Sequence, residues 1–288
     1  MAIVEGRADL HTHTTASDGL HSPAEVVGMA KTAGLHAVAI TDHDTVAGVA
    51  EAVIEGERIG ITVIPGVELS TVSERKEIHL LAYFTNNDDP LWQERLARQG
   101  NARERRNSLI VEKLQSFGIA ISLDEIIAIG AERRQTNEAS EANFSVGRPH
   151  IAELLIRKGI VQSMNEAFDR FLASGSAAYV EVPRVHPLEA VEWINEAGGV
   201  CVIAHPGLYD NDSLVEDIIR GGARGIEVFH SDHNLEDEKR YSLLANKYNL
   251  IETGGSDFHG ARLGKNYHGA IGSKSVSIKV VEQLRSCR

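Results

Sequence analysis

Residues 36–44 read HAVAITDHD. His36 to Thr41 is a compact apolar run, the pattern of a strand buried on both faces. It ends at once on Asp42, His43 and Asp44, three groups able to bind a proton or a cation. A helix is predicted before it, Ser22 to Gly34, with Ser22 as N-cap, Pro23 in the first turn and Gly34 closing it. Another, Val46 to Gly60, is predicted after it. Strand, polar tip and helix make the repeating unit of a parallel βαβ fold.

Working outward, the unit recurs. Ala8 to His11 opens the series, and Ile61 to Leu69 and Glu77 to Phe84 read as the third and fourth strands. After Asn86-Asn87-Asp88-Asp89-Pro90 the pattern changes. Leu91 to Phe117 reads as one long charged helix, followed by helices at Leu123 to Ala131, His150 to Lys158 and Ser163 to Leu172. Residues 88–182 are expected to be a helical insertion. The rhythm then returns with strands at Val200 to Ala204, Gly225 to Phe229 and Leu250 to Thr253, separated by helices. About seven such units, each with polar residues after its strand, predict an α/β protein whose barrel is built from 1–87 and 183–288. In such barrels functional groups sit at the C-terminal strand ends.

Composition narrows the class. Of 288 residues, 42% are hydrophobic and 24% charged, ordinary for a globular enzyme. No apolar run is long enough for a membrane helix. The first nine residues lack the apolar core of a secretory signal, so a cytoplasmic location is expected. The two cysteines, Cys201 and Cys287, form no CxxC pair, which argues against a disulfide framework or a thiolate zinc site. The formal net charge of -12 argues against a basic groove for duplex nucleic acid. It leaves room for a small phosphorylated substrate, a nucleotide or short oligonucleotide, gripped through metal ions.

The chemistry-bearing residues follow the strand ends. His11 and His13 alternate in an extended segment, so both imidazoles face one side. Asp18 follows in a turn. His43 ends the second strand, Glu68 the third, His79 lies within the fourth, His205 ends the fifth, and Asp257 and His259 follow the seventh. Singly, each has an ordinary reading: a hydrogen-bonded core histidine, an ion-pair carboxylate, a helix cap. Together at one rim they point to metal binding. Imidazole with carboxylate suits Zn²⁺, Mn²⁺ or Fe²⁺. His230, His233 and His268 lie near the same rim, with His233 a candidate substrate contact. Glu227 is a candidate support for a ligand or a filler of the barrel interior.

The segments HTHTTASDG at 11–19, ITDHD at 40–44, PGVE at 65–68, the His79 strand, AHPG at 204–207 and GSDFHG at 255–260 resemble the polymerase and histidinol phosphatase (PHP) superfamily. The resemblance implies a distorted seven-stranded (β/α) barrel with a trinuclear metal centre. Carried over by position, His11, His13, Glu68 and Asp257 are expected to bind one metal. Glu68 would bridge to a second with His79 and His205, and Asp18, His43 and His259 would hold a third. Asp18 stands where some members have His, which favours Mn²⁺ or Fe²⁺ there.

The insertion, with Gly147-Arg148-Pro149-His150, is similar to a bacterial subgroup that removes the 3′-phosphate of 3′,5′-bisphosphonucleosides and in part trims short RNA from the 5′ end. Arg148 is the expected contact to phosphoryl oxygens, and His150 a donor to the phosphate or the leaving oxygen. Asp42 is expected to orient a ligand imidazole. The competing readings are a histidinol-phosphate phosphatase, an amidohydrolase (disfavoured, since no Lys stands at a strand end) and a non-catalytic metal- or nucleic-acid-binding module.

Overall fold

A computed structural model describes residues 6–132, 146–262, 265–266 and 268–288. The strands are β1 (Arg7–Asp9), β2 (Ala37–Ile40), β3 (Thr62–Ser73), β4 (Lys76–Tyr83), β5 (Val200–Ile203), β6 (Gly225–His230), β7 (Ile251–Gly255), the two-residue pair β8 (Ala261–Arg262) and β9 (Lys265–Asn266), and β10 (Val276–Ser277). One eight-stranded sheet runs β10-β1-β2-β3-β4-β5-β6-β7. It curls until its ends nearly meet. Leu10 donates its N–H to Gly254 at 3.2 Å, His13 donates to Phe258 at 2.9 Å, and Thr12 bridges Phe258 in parallel. The seven walls of a distorted barrel are thus β1 to β7, with β10 added beside β1 in antiparallel register.

The closure needs Gly255. A Cβ there would lie 2.4 Å from both the Cβ and the backbone nitrogen of His11. Asp9 ties the same seam. Its carboxylate accepts from Ser256 N at 2.9 Å, Ser256 Oγ at 2.6 Å, Gly272 N at 2.8 Å and His11 N at 3.3 Å.

One sheet relation departs from the expected parallel rhythm. β4 is antiparallel to both β3 and β5. The cause is a tight hairpin at Glu74 and Arg75, both at positive φ (49° and 66°), the conformation of primed hairpin turns. β4 therefore runs away from the rim and the chain leaves at the barrel's far end. A long helix carries it back: α3 (Pro90–Ser116), about 40 Å at the usual rise per residue.

The other helices are α1 (Pro23–Thr32), α2 (Val49–Ile59), α4 (Leu123–Ala131), α5 (Arg148–Arg157), α6 (Met164–Ala167), α7 (Pro187–Glu196), α8 (Asp212–Arg220), α9 (Leu235–Tyr248) and α10 (Lys279–Ser286). α1 begins with a capping box between Ser22 and Glu25 and has Pro23 at its start. Among the described residues no helix is long and apolar enough to cross a membrane.

One face of α3 joins two cores. Trp92 and Leu96 pack into the barrel's outer layer with Val67, Leu80 and Trp193. Ile110, Val111 and Leu114 belong to a second cluster with Ile126, Ile151 and Phe171. Between them the same buried face carries Gln99, Arg103, Arg106 and Asn107. The spacing of three and four residues keeps all of these on one side. Most of the helix's charges lie on its outer face, but Arg103 and Arg106 belong to the buried one.

Gly255→Ala is expected to overpack the β1–β7 seam and cost about 1–3 kcal/mol. The check is the denaturant midpoint with the slope of unfolding held constant.

Candidate metal centre

The strand ends bring the predicted residues to one mouth of the barrel. Glu68, 1% exposed, lies at the middle. Its Oε1 is 2.9 Å from His79 Nδ1, 3.0 Å from His205 Nε2 and 3.5 Å from His11 Nε2. Its Oε2 is 2.8 Å from His43 Nδ1 and 3.3 Å from His13 Nε2. Asp257 Oδ1 is 3.1 Å from His13 Nε2 and 3.4 Å from His11 Nε2. Asp18 Oδ1 is 3.2 Å from His259 Nε2, and His13, Asp18, His43 and His259 make one compact group of donors. All nine sequence-predicted ligands thus line one connected cluster.

The chemistry of these donors fits divalent cations. His11 Nε2, His13 Nε2, His43 Nδ1 and Glu68 Oε2 are buried without a well-directed hydrogen bond among the described residues. Yet each is within 3.5 Å of an oppositely charged or polar atom. Lone pairs that crowd together without pointing at one another are aimed at shared points between them. Ligand atoms around a common ion at about 2.1 Å sit about 3.0–3.4 Å apart.

The supporting contacts set the ring orientations. His11 Nδ1 lies 3.2 Å from both oxygens of Glu227, so that carboxylate takes the Nδ1 proton and leaves Nε2 facing inward. Glu227 also accepts the His205 N–H at 2.9 Å. His259 Nδ1 donates to the Asp257 carbonyl at 2.8 Å, which again turns Nε2 inward. His230 is the reverse. Its Nδ1 accepts the Asp232 N–H at 3.1 Å, so in the neutral ring the proton is on Nε2, 3.4 Å from Asp257 Oδ2. That nitrogen makes no well-directed hydrogen bond among the described residues, and the ring groups with His11 and Glu227. Tyr209 binds two strand ends together: it accepts the His79 N–H at 2.9 Å and lies 2.6 Å from the Ala204 carbonyl. Asp44, His205 and Asp257 hold positive φ (57°, 26° and 51°) without being glycine, and such conformations gather at functional sites.

Three predicted residues are held by their own local bonds. His233 is tied to backbone on both sides. Its Nδ1 donates to the Val228 carbonyl at 2.9 Å and its Nε2 accepts the Gly207 N–H at 3.1 Å, so backbone occupies both nitrogens. His150 does not line the cleft. Its Nδ1 accepts the Gly147 N–H at 3.1 Å and caps α5. Asp42 reaches an imidazole through Ser17, whose hydroxyl lies 3.5 Å from His13 Nδ1. It accepts from Thr14 N at 2.8 Å, Thr14 Oγ1 at 2.7 Å and Ser17 Oγ at 2.6 Å, and so shapes the loop that carries His13 and Asp18. Arg148 does reach the cleft, where its guanidinium pairs with Glu77.

Sequence reasoning missed the wall beside it. Arg103 donates to Asp44 at 3.0 Å and to Ser70 Oγ at 2.7 Å, Arg184 approaches Asp44 at 3.3 Å, and Arg106 donates to Glu77 at 2.5 Å. Only the 3–4 spacing of Arg103 and Arg106 with Trp92, Leu96 and Ile110 marked them as inward-facing. The cleft has a volume of about 230 Å³ and includes Glu68, His79, His205, Arg103, Arg106 and Arg148 in its lining. A larger groove of about 1080 Å³ between β7 and α10 contains no histidine. Chemistry, not size, selects the smaller one.

Burial and charge fix the ionisation. Burial opposes the carboxylate charge of Glu68, but the imidazoles of His79, His43 and His11 outweigh it and hold Glu68 well below the usual range. Asp257 is likewise held ionised against burial by His268, His11 and His259. Burial pushes His43 down to about 3 and His205 to about 4, keeping both neutral. Ionised carboxylates with neutral imidazoles are the cation-binding form. For His13 burial is outweighed by Asp257 and Glu68, which raise it to about 10. Without a cation, then, His13 carries a proton between two carboxylates.

A barrel whose strand ends converge on imidazoles and carboxylates defines a metal-dependent hydrolase. The PHP domain family profile matches residues 9–220, and the chain belongs to that family of phosphoesterases. A 5′-3′ exoribonuclease of Escherichia coli is 36% identical over 87% of this chain and 84% of its own length. A 3′,5′-nucleoside bisphosphate phosphatase of Chromobacterium violaceum is 34% identical over 87% of this chain and 86% of its own. A phosphoribosyl 1,2-cyclic phosphate 1,2-diphosphodiesterase of Eggerthella lenta is 33% identical over 88% and 94%. Among solved structures, a candidate metal-dependent phosphoesterase from Bifidobacterium adolescentis superposes with a TM-score of 0.86 at 32% identity, over 98% of this chain and 96% of that one.

Cation uptake must displace the protons that the carboxylates favour on His11 and His13. Their release is expected on Mn²⁺ binding, with apparent affinity rising with pH through the His13 value of about 10. Calorimetric titration in buffers of different ionisation enthalpy measures it, and binding without proton release would contradict the assignment.

Proposed function

We propose that this chain hydrolyses the 3′-phosphate of 3′,5′-bisphosphonucleosides, such as adenosine 3′,5′-bisphosphate, to the 5′-monophosphate and phosphate. We assign His11, His13, Glu68 and Asp257 to one cation, Glu68, His79 and His205 to a second, and Asp18, His43 and His259 to a third. Residues 88–182 act as the specificity cap and the remainder as the barrel. Mn²⁺, Fe²⁺ and Zn²⁺ all suit the donor set. When bound, such ions supply Lewis-acid stabilisation and an activated water.

The observation that carries the reading is the charge of the cleft wall. Four guanidiniums, Arg103, Arg106, Arg148 and Arg184, share two carboxylates, Asp44 and Glu77. Against these two carboxylates alone the guanidiniums are two in excess, and three of the four, Arg103, Arg106 and Arg148, line the cleft. Burial first, then the charges of Arg148, Arg184 and Arg103, holds Arg106 well below the usual arginine value despite Glu77. A buried excess of charge is costly unless a counterion arrives. A phosphate is the matching anion for planar guanidinium donors. The cleft therefore offers phosphate two regions, the arginine wall directly and the imidazole–carboxylate floor through the cations it would hold. A substrate with two phosphates satisfies both.

The wall also separates the rivals. Histidinol phosphate has one phosphate and would set a cationic amine in the same cleft as the excess guanidinium charge. No lysine lines the cleft among the described residues, as the C–N hydrolase reading would want. The 5′-phosphate of short RNA offers the same chemistry as a bisphosphonucleoside, which keeps 5′-to-3′ trimming as a second activity. Nucleotide substrates of this kind fit a cytoplasmic location.

The test is phosphate release with Mn²⁺ over nucleoside 3′,5′-bisphosphates, short 5′-phosphorylated RNA, histidinol phosphate and simple monoesters. Bisphosphates are expected to lead. Arg148→Ala is expected to lower selectivity for bisphosphate over monophosphate about tenfold or more, the scale of one charged hydrogen bond, with metal content retained. Equal losses on both substrates would remove the arginine wall from phosphate recognition.

A further inference from the structure

The cleft has a third kind of surface. Beside the polar floor and the arginine wall, Pro149, Phe168 and Leu208 line it. Phe168 opens a π-helical turn, Phe168–Leu172, directly after α6. Such turns are rare and recur at functional sites. Its backbone is firmly tied: the Phe168 carbonyl accepts the Ala173 N–H at 2.8 Å and the Ser176 hydroxyl at 3.1 Å. The ring is half-buried, packed in part on the insertion's apolar cluster. The guanidinium carbon of Arg148 lies 5.7 Å from its centroid. A flat apolar ring is thus held in the cleft wall beside a phosphate-facing cation. Leu208, 52% exposed, adds apolar surface from the turn that follows His205.

We propose that Phe168 is a nucleobase platform. The Arg148 guanidinium lies over the ring in a cation–π arrangement, and the ring forms part of the cleft lining. A purine or pyrimidine can use such a lining, because every base presents a π-face and stacks on an aromatic ring or a guanidinium plane without regard to its edge pattern. The insertion then reads two parts of one substrate from adjacent residues: Arg148 a phosphate, Phe168 the base. The platform distinguishes substrates with a base from those without, and discriminates weakly among bases. This inference rests on the nucleotide reading above.

The experiment compares adenosine 3′,5′-bisphosphate with a baseless ribose 3,5-bisphosphate, as its methyl glycoside, in wild type, Phe168→Leu and Phe168→Trp. The leucine variant keeps the apolar volume packed on the insertion, and the tryptophan variant keeps an aromatic face. Expected is a wild-type preference in kcat/KM for the base-bearing substrate. Phe168→Leu lowers that preference about tenfold or more, mainly through KM, and Phe168→Trp restores it. Equal turnover of the two substrates by wild type overturns the platform and leaves the bisphosphate reading standing. Equal losses on both in Phe168→Leu, not recovered in Phe168→Trp, reduce Phe168 to a packing residue. Failure of wild type on both bisphosphates, with turnover of another ester, removes the nucleotide reading and the platform with it.

Discussion

Five imidazoles converge on the two oxygens of one buried carboxylate. Glu68 sits within 3.5 Å of nitrogens of His11, His13, His43, His79 and His205, which come from four other strand ends. No local segment can make such an arrangement, because it requires a sheet curled so far that its first and last strands touch. The seam at Asp9, His11 and Gly255 is therefore as much a part of the centre as the rings themselves. Burial works against every charge in the cluster. It persists because the barrel's backbone holds the groups in place and because each charge has an opposite one nearby.

The insertion is coupled to this mouth through α3. Its first turns belong to the barrel's apolar layer and its last turns to the insertion's own cluster. The polar stretch between lies opposite the cleft, where Arg103 joins Asp44 at the end of the second strand. Gly147 brings the start of α5 against Asp18, so closely that a Cβ there would lie 2.8 Å from the carboxylate. The arginine wall and the imidazole–carboxylate cluster are thus tied together by the same helix and by one tight loop contact.

Much of this was legible in the sequence. The convergence of the strand-ending imidazoles and carboxylates was readable because a barrel maps chain position onto rim position, so HTH, DHD and GSDFH announce their own neighbourhood. Three things were not. The reversal of β4 depends on two non-glycine residues, Glu74 and Arg75, adopting positive φ, which their types do not signal. Two arginines of the wall, Arg103 and Arg106, lie on a helix whose charge suggested an exposed face; their burial comes from tertiary contacts. The roles of His150 and His233 depended on which backbone N–H or carbonyl each ring nitrogen meets, and that is visible only in three dimensions.

The central claim is that Glu68 is shared between cations at the barrel mouth. Anomalous diffraction from crystals grown with Mn²⁺ and measured at the manganese edge tests it directly. The account predicts at least two anomalous peaks, each about 2.0–2.4 Å from an oxygen of Glu68, with His11 and His13 beside one and His79 and His205 beside the other. A metal-loaded crystal with its peaks elsewhere, and Glu68 paired only with protonated imidazoles, would contradict it.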